Sequence, residues 1–459
     1  LSPMFARAIP PAVFARRRRT LLDRMGPGSI ALLPAAASMP RNRDVHYPFR
    51  QDSDFYYLTG FPEPEALAVL IPGGDPEFLL FCRERDPHLE IWHGRRAGPE
   101  GAVARYGANH AYPIAAIDKV LLPLLENRER VYYAIGDQPE FDRQVLNWIN
   151  RVRDKARTGV RAPAVLIALE QLLHEMRLYK APEEIAVMRE SARIAAEAHC
   201  RAMQICRPGM LEYEVEAEIF HTFVRHGAGW AYPSIVAGGD NSCILHYTEN
   251  NAPLPDGDLL LIDAGAELDG YASDITRTFP INGRFSGEQR AIYELVLAAQ
   301  QAAIAKVRPG CHFNDPHDAA VQTLTEGLVA LGLLSGGAVE ELIKEEQHKQ
   351  FYMHRTGHWL GMDVHDVGAY KNGADWRVFE PGMVTTVEPG LYLPAGGQVI
   401  DAHWARLGVR LETELEERWH RIGVRIEDDV LVTTEGNEVL SAAAPKTVAD
   451  VEALMREGR

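Results

Sequence analysis

The sequence predicts a mixed α/β protein, an α+β chain with an N-terminal α/β domain and a C-terminal domain built from a duplicated α/β half. Three observations carry this. The chain has 459 residues, enough for two or three domains and a large core. Strand-like and helical patches alternate up to Arg177, where the pattern changes. Beyond that point a long Ala-rich segment ends at Arg207-Pro208-Gly209 and an amphipathic one follows over 214–226. The same order returns at Arg308-Pro309-Gly310, with a helical segment over 315–331. The offset is 308 − 207 = 101 residues.

The elements follow in order. Residues 67–71 and 78–82 read as strands around the turn Pro72-Gly-Gly-Asp-Pro76, and 117–125 and 141–153 as amphipathic helices. Lys180-Ala-Pro-Glu-Glu184 is a helix start, with Pro182 in the first turn and acids after it. That helix should run to Cys206, and the next Ala-rich one over 288–307. The domain boundaries expected are therefore 1–177 and 178–459. After each helix pair come strands bearing acids: Asp263 and Asp274 in the first half, Glu388 and Glu427 in the second. A further helix is expected over 402–417.

Composition narrows the partners. The formal net charge is −16 with a pI near 5.6, which argues against nucleic acid. The one basic run, Arg16–Arg19, is expected to be the solvated face of an N-terminal helix. Five scattered cysteines (Cys82, Cys200, Cys206, Cys243, Cys311) include no CxxC pair, which fits free thiols in a reducing cytoplasm. Asp23, Arg24, Pro27 and Pro34 interrupt any secretory apolar region, and no stretch approaches a membrane span. A cytoplasmic protein without a membrane partner is expected.

The segment 259–279 reads as two strands joined by a tight turn at 268–270. With the centre between Leu268 and Asp269, Asp263 faces Asp274 directly; with Asp269-Gly270 as the turn, the two are diagonal. Either register sets two carboxylates on one face, and like charges so placed destabilise a sheet unless a cation sits between them. Glu388 ends an apolar strand just before Pro389-Gly390, where an unpaired carboxylate is costly. In the alternating stretch 424–432, Arg425 and Glu427 share a face. Arg425 could neutralise Glu427, but not also Asp263, Asp274 and Glu388. His354, His358 and His365 fall within twelve residues, and His246 lies in the dense segment 244–251. His354 and His358 are four apart, yet position 355 is Arg and Gly357 breaks the helix, so a helical zinc motif is excluded. Two Asp, two Glu and one His are mostly hard oxygen ligands, which favours Mn, Fe or Co over structural zinc. Four carboxylates balance two divalent cations, and paired metals clamp a hydrolytic transition state. The residues point to a dinuclear metallohydrolase.

Asp263, Asp274, His358, Glu388 and Glu427, in that order on a duplicated α/β domain, resemble the pita-bread metallopeptidases. Arg50-Gln-Asp-Ser-Asp-Phe-Tyr-Tyr-Leu-Thr-Gly-Phe-Pro-Glu-Pro64 and Trp92-His-Gly-Arg-Arg96 are similar to the N-terminal part of the aminopeptidase P family. His246-Tyr-Thr-Glu-Asn250 and His358-Trp-Leu-Gly361 favour its bacterial branch. The resemblance implies release of the first residue from peptides with proline second, with two divalent ions, usually Mn2+. It implies that Asp263 chelates one metal, that Asp274 and Glu427 bridge both, and that His358 and Glu388 complete the second. It makes Glu388 the proton shuttle, sets His246 and His365 on the substrate and its oxyanion, places His354 near the proline and uses Arg425 to orient the bridging ligands. A homodimer or homotetramer is implied as well. Xaa-Pro dipeptidase is the nearest rival, because it shares fold and ligands; a non-catalytic binding protein on this fold is a remote one. Two features depart from the family pattern: a long stretch at 394–421, and the pair Arg355-Thr356 after His354.

Overall fold

The computed structural model describes residues 9–335, 337–395 and 415–458. The chain divides into two compact units, Leu1–Met176 and Arg177–Arg459.

The first unit is a six-stranded sheet with helices packed on it. The strands run in the order His110–Pro113, Phe78–Cys82, Leu67–Leu70, Ser29–Pro34, Arg130–Tyr133, Val165–Ala168. The hairpin Leu67–Leu70/Phe78–Cys82 is antiparallel, while Ser29–Pro34 pairs parallel with Arg130–Tyr133. The helix Pro139–Arg153 buries Phe141, Val145, Trp148, Ile149 and Val152, the spacing of a single apolar stripe. These side chains pack with Ile30, Leu32, Val69, Phe81 and Val131 of the sheet.

The basic run departs from expectation. Arg16 and Arg19 are exposed, but Arg17 and Arg18 are buried in the helix Pro11–Met25. Four consecutive residues cover more than one helical turn, so a solvated run must turn part of itself inward. Arg17 donates from Nη1 to the Tyr57 carbonyl at 3.0 Å and Arg18 to that of Leu58 at 2.8 Å. Their guanidinium carbons lie 4.0 Å over the Tyr57 ring and 4.2 Å over the Phe78 ring. The pair satisfies the last carbonyls of the helix Ser53–Thr59.

In the second unit the two halves are built alike. The helices Pro182–Ile205 and Glu212–Arg225 correspond to Gly287–Ile304 and Asp315–Ala330. Both Arg-Pro-Gly turns use a left-handed glycine, with φ 85° at Gly209 and 86° at Gly310. Glu184 opens the first helix by accepting from the Ala181 N–H at 2.8 Å. The first half contributes the antiparallel strands Ile235–Gly238, Leu259–Asp263 and Thr276–Pro280. The second contributes Val384–Val387, Asp428–Val432 and Asn437–Val439, with the pair Gly390–Leu393/Ile422–Arg425. One continuous core, including Ile262, Phe279, Val296, Leu324, Val387 and Val430, joins the helices to both sets of strands.

The acid-bearing hairpin takes the second of the two registers. Asp263 pairs with Thr276, and Leu268 with Tyr271. The turn is Asp269-Gly270, with φ 48° and 79°, the sign that a two-residue hairpin turn needs. The hairpin is not one flat ribbon. Its tip, Ala266–Leu268/Tyr271–Ala272, belongs to a different sheet from its base. At the crossover a Cβ on Gly265 would lie 1.8 Å from the Ser273 carbonyl oxygen. Asp274 lies just beyond this crossover, outside the paired strands. The helix expected over 402–417 falls almost wholly outside the described residues; within 415–420 there is a single 3-10 turn, Glu417–Trp419.

Candidate active site

Five chain segments converge on one cavity of about 690 Å3, lined among others by His246, Asp263, Asp274, His354, His358, His365, Glu388, Arg425 and Glu427. All nine expected site residues line it. Asp263 comes from a strand end, Asp274 from the segment beyond the crossover, and His358 from a loop whose N–H is held by Thr386 Oγ1 at 3.1 Å. Glu388 sits between two strands of the second half, and Glu427 in the break between Ile422–Arg425 and Asp428–Val432.

The donors of Asp274, His358 and Glu427 lie within 4.8 Å of one another. His358 Nε2 is 3.4 Å from Asp274 Oδ2 and 3.7 Å from Glu388 Oε1. Its Nδ1 is 3.0 Å from the Trp359 carbonyl. A carbonyl only accepts, so Nδ1 donates there, and Nε2 is the nitrogen that faces the cluster, where a metal would be bound. The electrostatics give the same reading. Burial, and then the charge of Asp263, hold the Asp274 carboxyl well above the usual range. Burial, and then Asp274, do the same to Glu427. Burial, followed by Glu427, pushes Glu388 up to about 8 against the opposing pull of His358. Carboxyls that would keep their protons at neutral pH are a poor structural choice and a good cation site, because a bound divalent ion reverses these shifts. The residues present fit such an ion.

Arg425 differs from expectation in its partner. Its ion pair is with Asp263, Nη2 to Oδ2 at 2.8 Å. The strand ends at Arg425, so the alternation that would keep it beside Glu427 is broken there. It reaches Glu427 indirectly: Nε donates to Thr276 Oγ1 at 3.2 Å, and that hydroxyl donates to Glu427 Oε2 at 2.7 Å. Arg425 Nη1 also donates to the Tyr392 hydroxyl at 3.0 Å, which lies 2.8 Å from His354 Nε2. His354 Nδ1 donates to the Arg355 carbonyl at 2.7 Å. Burial lowers the His354 pKa to about 3, keeping the ring neutral. Both of its nitrogens are occupied, leaving the ring itself to touch a substrate. The His365 ring stands edge-on to His358 at 4.3 Å, and burial, with His358 next, lowers its pKa. His246 is exposed on the cavity wall.

Several participants escape the sequence reading. The Tyr232 hydroxyl lies 2.6 Å from Asp263 Oδ1 and 2.5 Å from Asp274 Oδ1. One hydroxyl has one proton, so both contacts are hydrogen bonds only if one acid keeps its own, which matches the raised Asp274. Asp429 accepts the Asp274 N–H at 3.1 and 3.2 Å. Thr276 is within reach of the alternation rule, since it shares a face with Asp274; Tyr232, 31 residues before Asp263 in no pattern, is not.

Fold and site together define a metal-dependent hydrolase of the pita-bread type. Residues 186–434 match the model of metallopeptidase family M24, and residues 14–132 that of the aminopeptidase P N-terminal domain. The chain is 46% identical over 449 residues to the Xaa-Pro aminopeptidase of Escherichia coli K12, covering 97% of this chain and 98% of that one. It is also similar to the structure of Pseudomonas aeruginosa aminopeptidase PepP, at 56% identity and a TM-score of 0.94, covering 98% and 99% of the two chains. Aminopeptidase P from E. coli with the inhibitor Pro-Leu superposes with a TM-score of 0.92 at 46% identity, covering 98% and 99%. The chain belongs to metallopeptidase family M24, in its bacterial aminopeptidase P (Xaa-Pro aminopeptidase) branch.

Proposed function

We infer that the chain is a metallo-aminopeptidase that releases the N-terminal residue from peptides with proline at the second position. The observation that carries the reading is near-complete coverage by Xaa-Pro aminopeptidases, joined to the convergence of Asp274, His358 and Glu427 in one cavity. A relative solved with the inhibitor Pro-Leu supports a proline-bearing peptide as the ligand. Comparing hydrolysis of an Xaa-Pro dipeptide with Xaa-Pro-Yaa peptides tests it; cleavage of the dipeptide alone would establish the dipeptidase instead.

We further propose the division of labour. The catalytic part is 178–459, and 1–177 is the N-terminal aminopeptidase P domain. Asp263, Asp274, His358, Glu388 and Glu427 hold two divalent ions, Mn2+ by the hardness of the donors. When bound, these ions polarise the scissile carbonyl and lower the pKa of water. The protein does the rest. Glu388, at the end of its strand on the cavity wall, takes the proton of the attacking water and delivers it to the proline nitrogen. His365 and His246, on the cavity wall, hold the peptide and the oxygen that gains charge. His354 lies near the proline. Arg425 orients Asp263 directly and Glu427 through Thr276. The free α-amine of the substrate is received by the acidic end.

Metal analysis of protein purified without added metal, alongside an Xaa-Pro-Yaa assay, checks the ion and its number. Cytoplasmic residence and a homodimer or homotetramer complete the proposal. Five free cysteines support the first, and among the described residues no helix is long and apolar enough to cross a membrane. Sedimentation of the holoenzyme checks the second.

A further inference from the structure

The catalytic cavity carries two cations that the peptidase chemistry does not use. Arg355 and Lys371 both line it, together with Trp376. Lys371 Nζ lies 4.2 Å from the centroid of the Trp376 ring, and the Arg355 guanidinium carbon 5.1 Å from it. Lys371 and Trp376 face each other across a short hairpin, so one cation and the indole are fixed by the same strand pair. Arg355 hydrogen-bonds a neutral group, Asn314 Oδ1. Among the described residues neither cation has an ion-paired carboxylate. Behind them stands a stiff aromatic wall, with Phe313 4.7 Å from Tyr370 and 6.3 Å from Trp376.

A cation on an indole at a surface commonly does no more than cover it. Two of them on one indole, in the same cavity as a four-carboxylate cluster, give the cavity an electrical direction. An unprotected short peptide has the same direction: an ammonium at one end and a carboxylate at the other. Three extended residues span roughly 10 Å, a reach suited to a ligand cavity of this size class.

We propose that Arg355 and Lys371, stacked on Trp376, form a recognition site for the C-terminal carboxylate of short substrates, so that the enzyme prefers free Xaa-Pro-Yaa tripeptides. The inference rests on the aminopeptidase reading above. The guanidinium supplies a planar pair of donors for the carboxylate and Lys371 a point charge. The Yaa side chain lies along the aromatic wall. Longer peptides carry their carboxylate past the site and gain nothing from it.

The test measures kcat and KM for Ala-Pro-Ala and for its C-terminal amide, with the Mn2+-loaded enzyme. The expected result is a kcat/KM roughly five- to tenfold higher for the acid, carried by KM and shrinking as salt rises. For a six-residue Ala-Pro peptide, acid and amide should be equal. In Arg355→Gln/Lys371→Gln the tripeptide ratio should fall to about one. Lys371→Gln alone, on an exposed hairpin, should reduce it part-way and keeps the test open if the double variant folds poorly. Equal acid and amide rates in the unaltered enzyme, or a ratio that survives both substitutions, would overturn the site. Failure to cleave either tripeptide would instead overturn the aminopeptidase reading on which it stands.

Discussion

The carboxylate most exposed to a decisive test is not a metal ligand but its neighbour Asp428. It is fully buried and accepts from Arg277 Nη2 at 2.7 Å, Lys446 Nζ at 2.6 Å, Gln300 Nε2 at 2.7 Å and Ser441 Oγ at 2.7 Å. Arg277 is equally buried, and its Nη1 grips the carbonyls of Glu427 at 2.6 Å and Thr276 at 2.9 Å. Asp428 therefore neutralises the arginine that clamps the backbone of Glu427. Asp428→Asn keeps the shape and removes the charge. Breaking one side of a buried pair costs about 3–5 kcal/mol, with the low end favoured here because Lys446 keeps some contact with water. For a unit of this size, each kcal/mol moves the melting temperature by about 2 °C, so Tm should fall by roughly 6–10 °C. Burial alone would raise the Asp428 pKa, but Arg277 and then Lys446 hold it well below the usual carboxylate range. The sign follows. A depressed native pKa adds stability above the unfolded value, near 4, that is lost as pH falls through the native one. The Tm gap between the unaltered protein and Asp428→Asn should be wide at pH 7 and should narrow as pH falls below about 4. Mn2+ affinity should drop by about 10- to 100-fold, as when an outer partner of a ligand is lost. Calorimetry and metal titration read both. A Tm within about 2 °C of the unaltered protein at pH 7, or a gap that stays constant down to about pH 3, would refute the account.

Three further outcomes follow from the site. Asp263→Ala and Glu388→Ala should each abolish cleavage of an Xaa-Pro-Yaa peptide while leaving the far-ultraviolet circular dichroism unchanged; normal turnover in either variant rules out its assigned role. Chelated protein should lose stability as pH rises. Glu388 has a native pKa pushed up to about 8, so its contribution is full below the unfolded value near 4.5 and is lost as pH climbs through 8. The Tm of metal-free protein should therefore fall between about pH 5 and pH 8 more steeply than that of the Mn2+ form, and parallel curves would show that the ion does not relieve these carboxyls. Gly265→Ala drives a Cβ to within 1.8 Å of the Ser273 carbonyl. It should cost about 1–3 kcal/mol or more and weaken metal binding by displacing Asp274; a variant with unaltered Tm and Mn2+ affinity would show that the hairpin can open there.

How far the chain can be read from its sequence depends on how local each signal is. The helices 117–125 and 182–205 are visible because stripe spacing and a first-turn proline act within one turn. The hairpin register is open between two choices in the sequence. Leu268, Asp269 and Gly270 can form either turn; Asp269 in the left-handed region decides it, a backbone choice that alternation does not encode. Arg17 and Arg18 defeat the expectation because a charge run says nothing about which carbonyls lie within reach. The partners that bury them, at Tyr57 and Leu58, are 40 residues away.

The site divides along the same line. Three of the proposed ligands are legible because they break a local rule: like charges on one face at Asp263 and Asp274, and an acid closing an apolar strand at Glu388. A violation of local physics marks a group whose partner is elsewhere. The groups that hold the ligands break no rule. Tyr232, Tyr392 and Thr276 are ordinary polar residues in strands and loops; Tyr232 and Tyr392 find partners distant in sequence within their own halves, and Thr276 reaches Glu427 only once the two halves face each other. The same reasoning explains Arg425. Alternation places it beside Glu427, but the strand ends at Arg425, and the free turn lets the guanidinium cross to Asp263 in the other half. The first half offers Asp263 and Asp274 with Tyr232 between them, the second Glu388, Glu427 and His358. Neither set balances its charge alone, and Arg425, which bridges them, is too little for four carboxyls. The conflict first seen in a single hairpin is thus a property of both halves, and the divalent ions proposed for the site would resolve it.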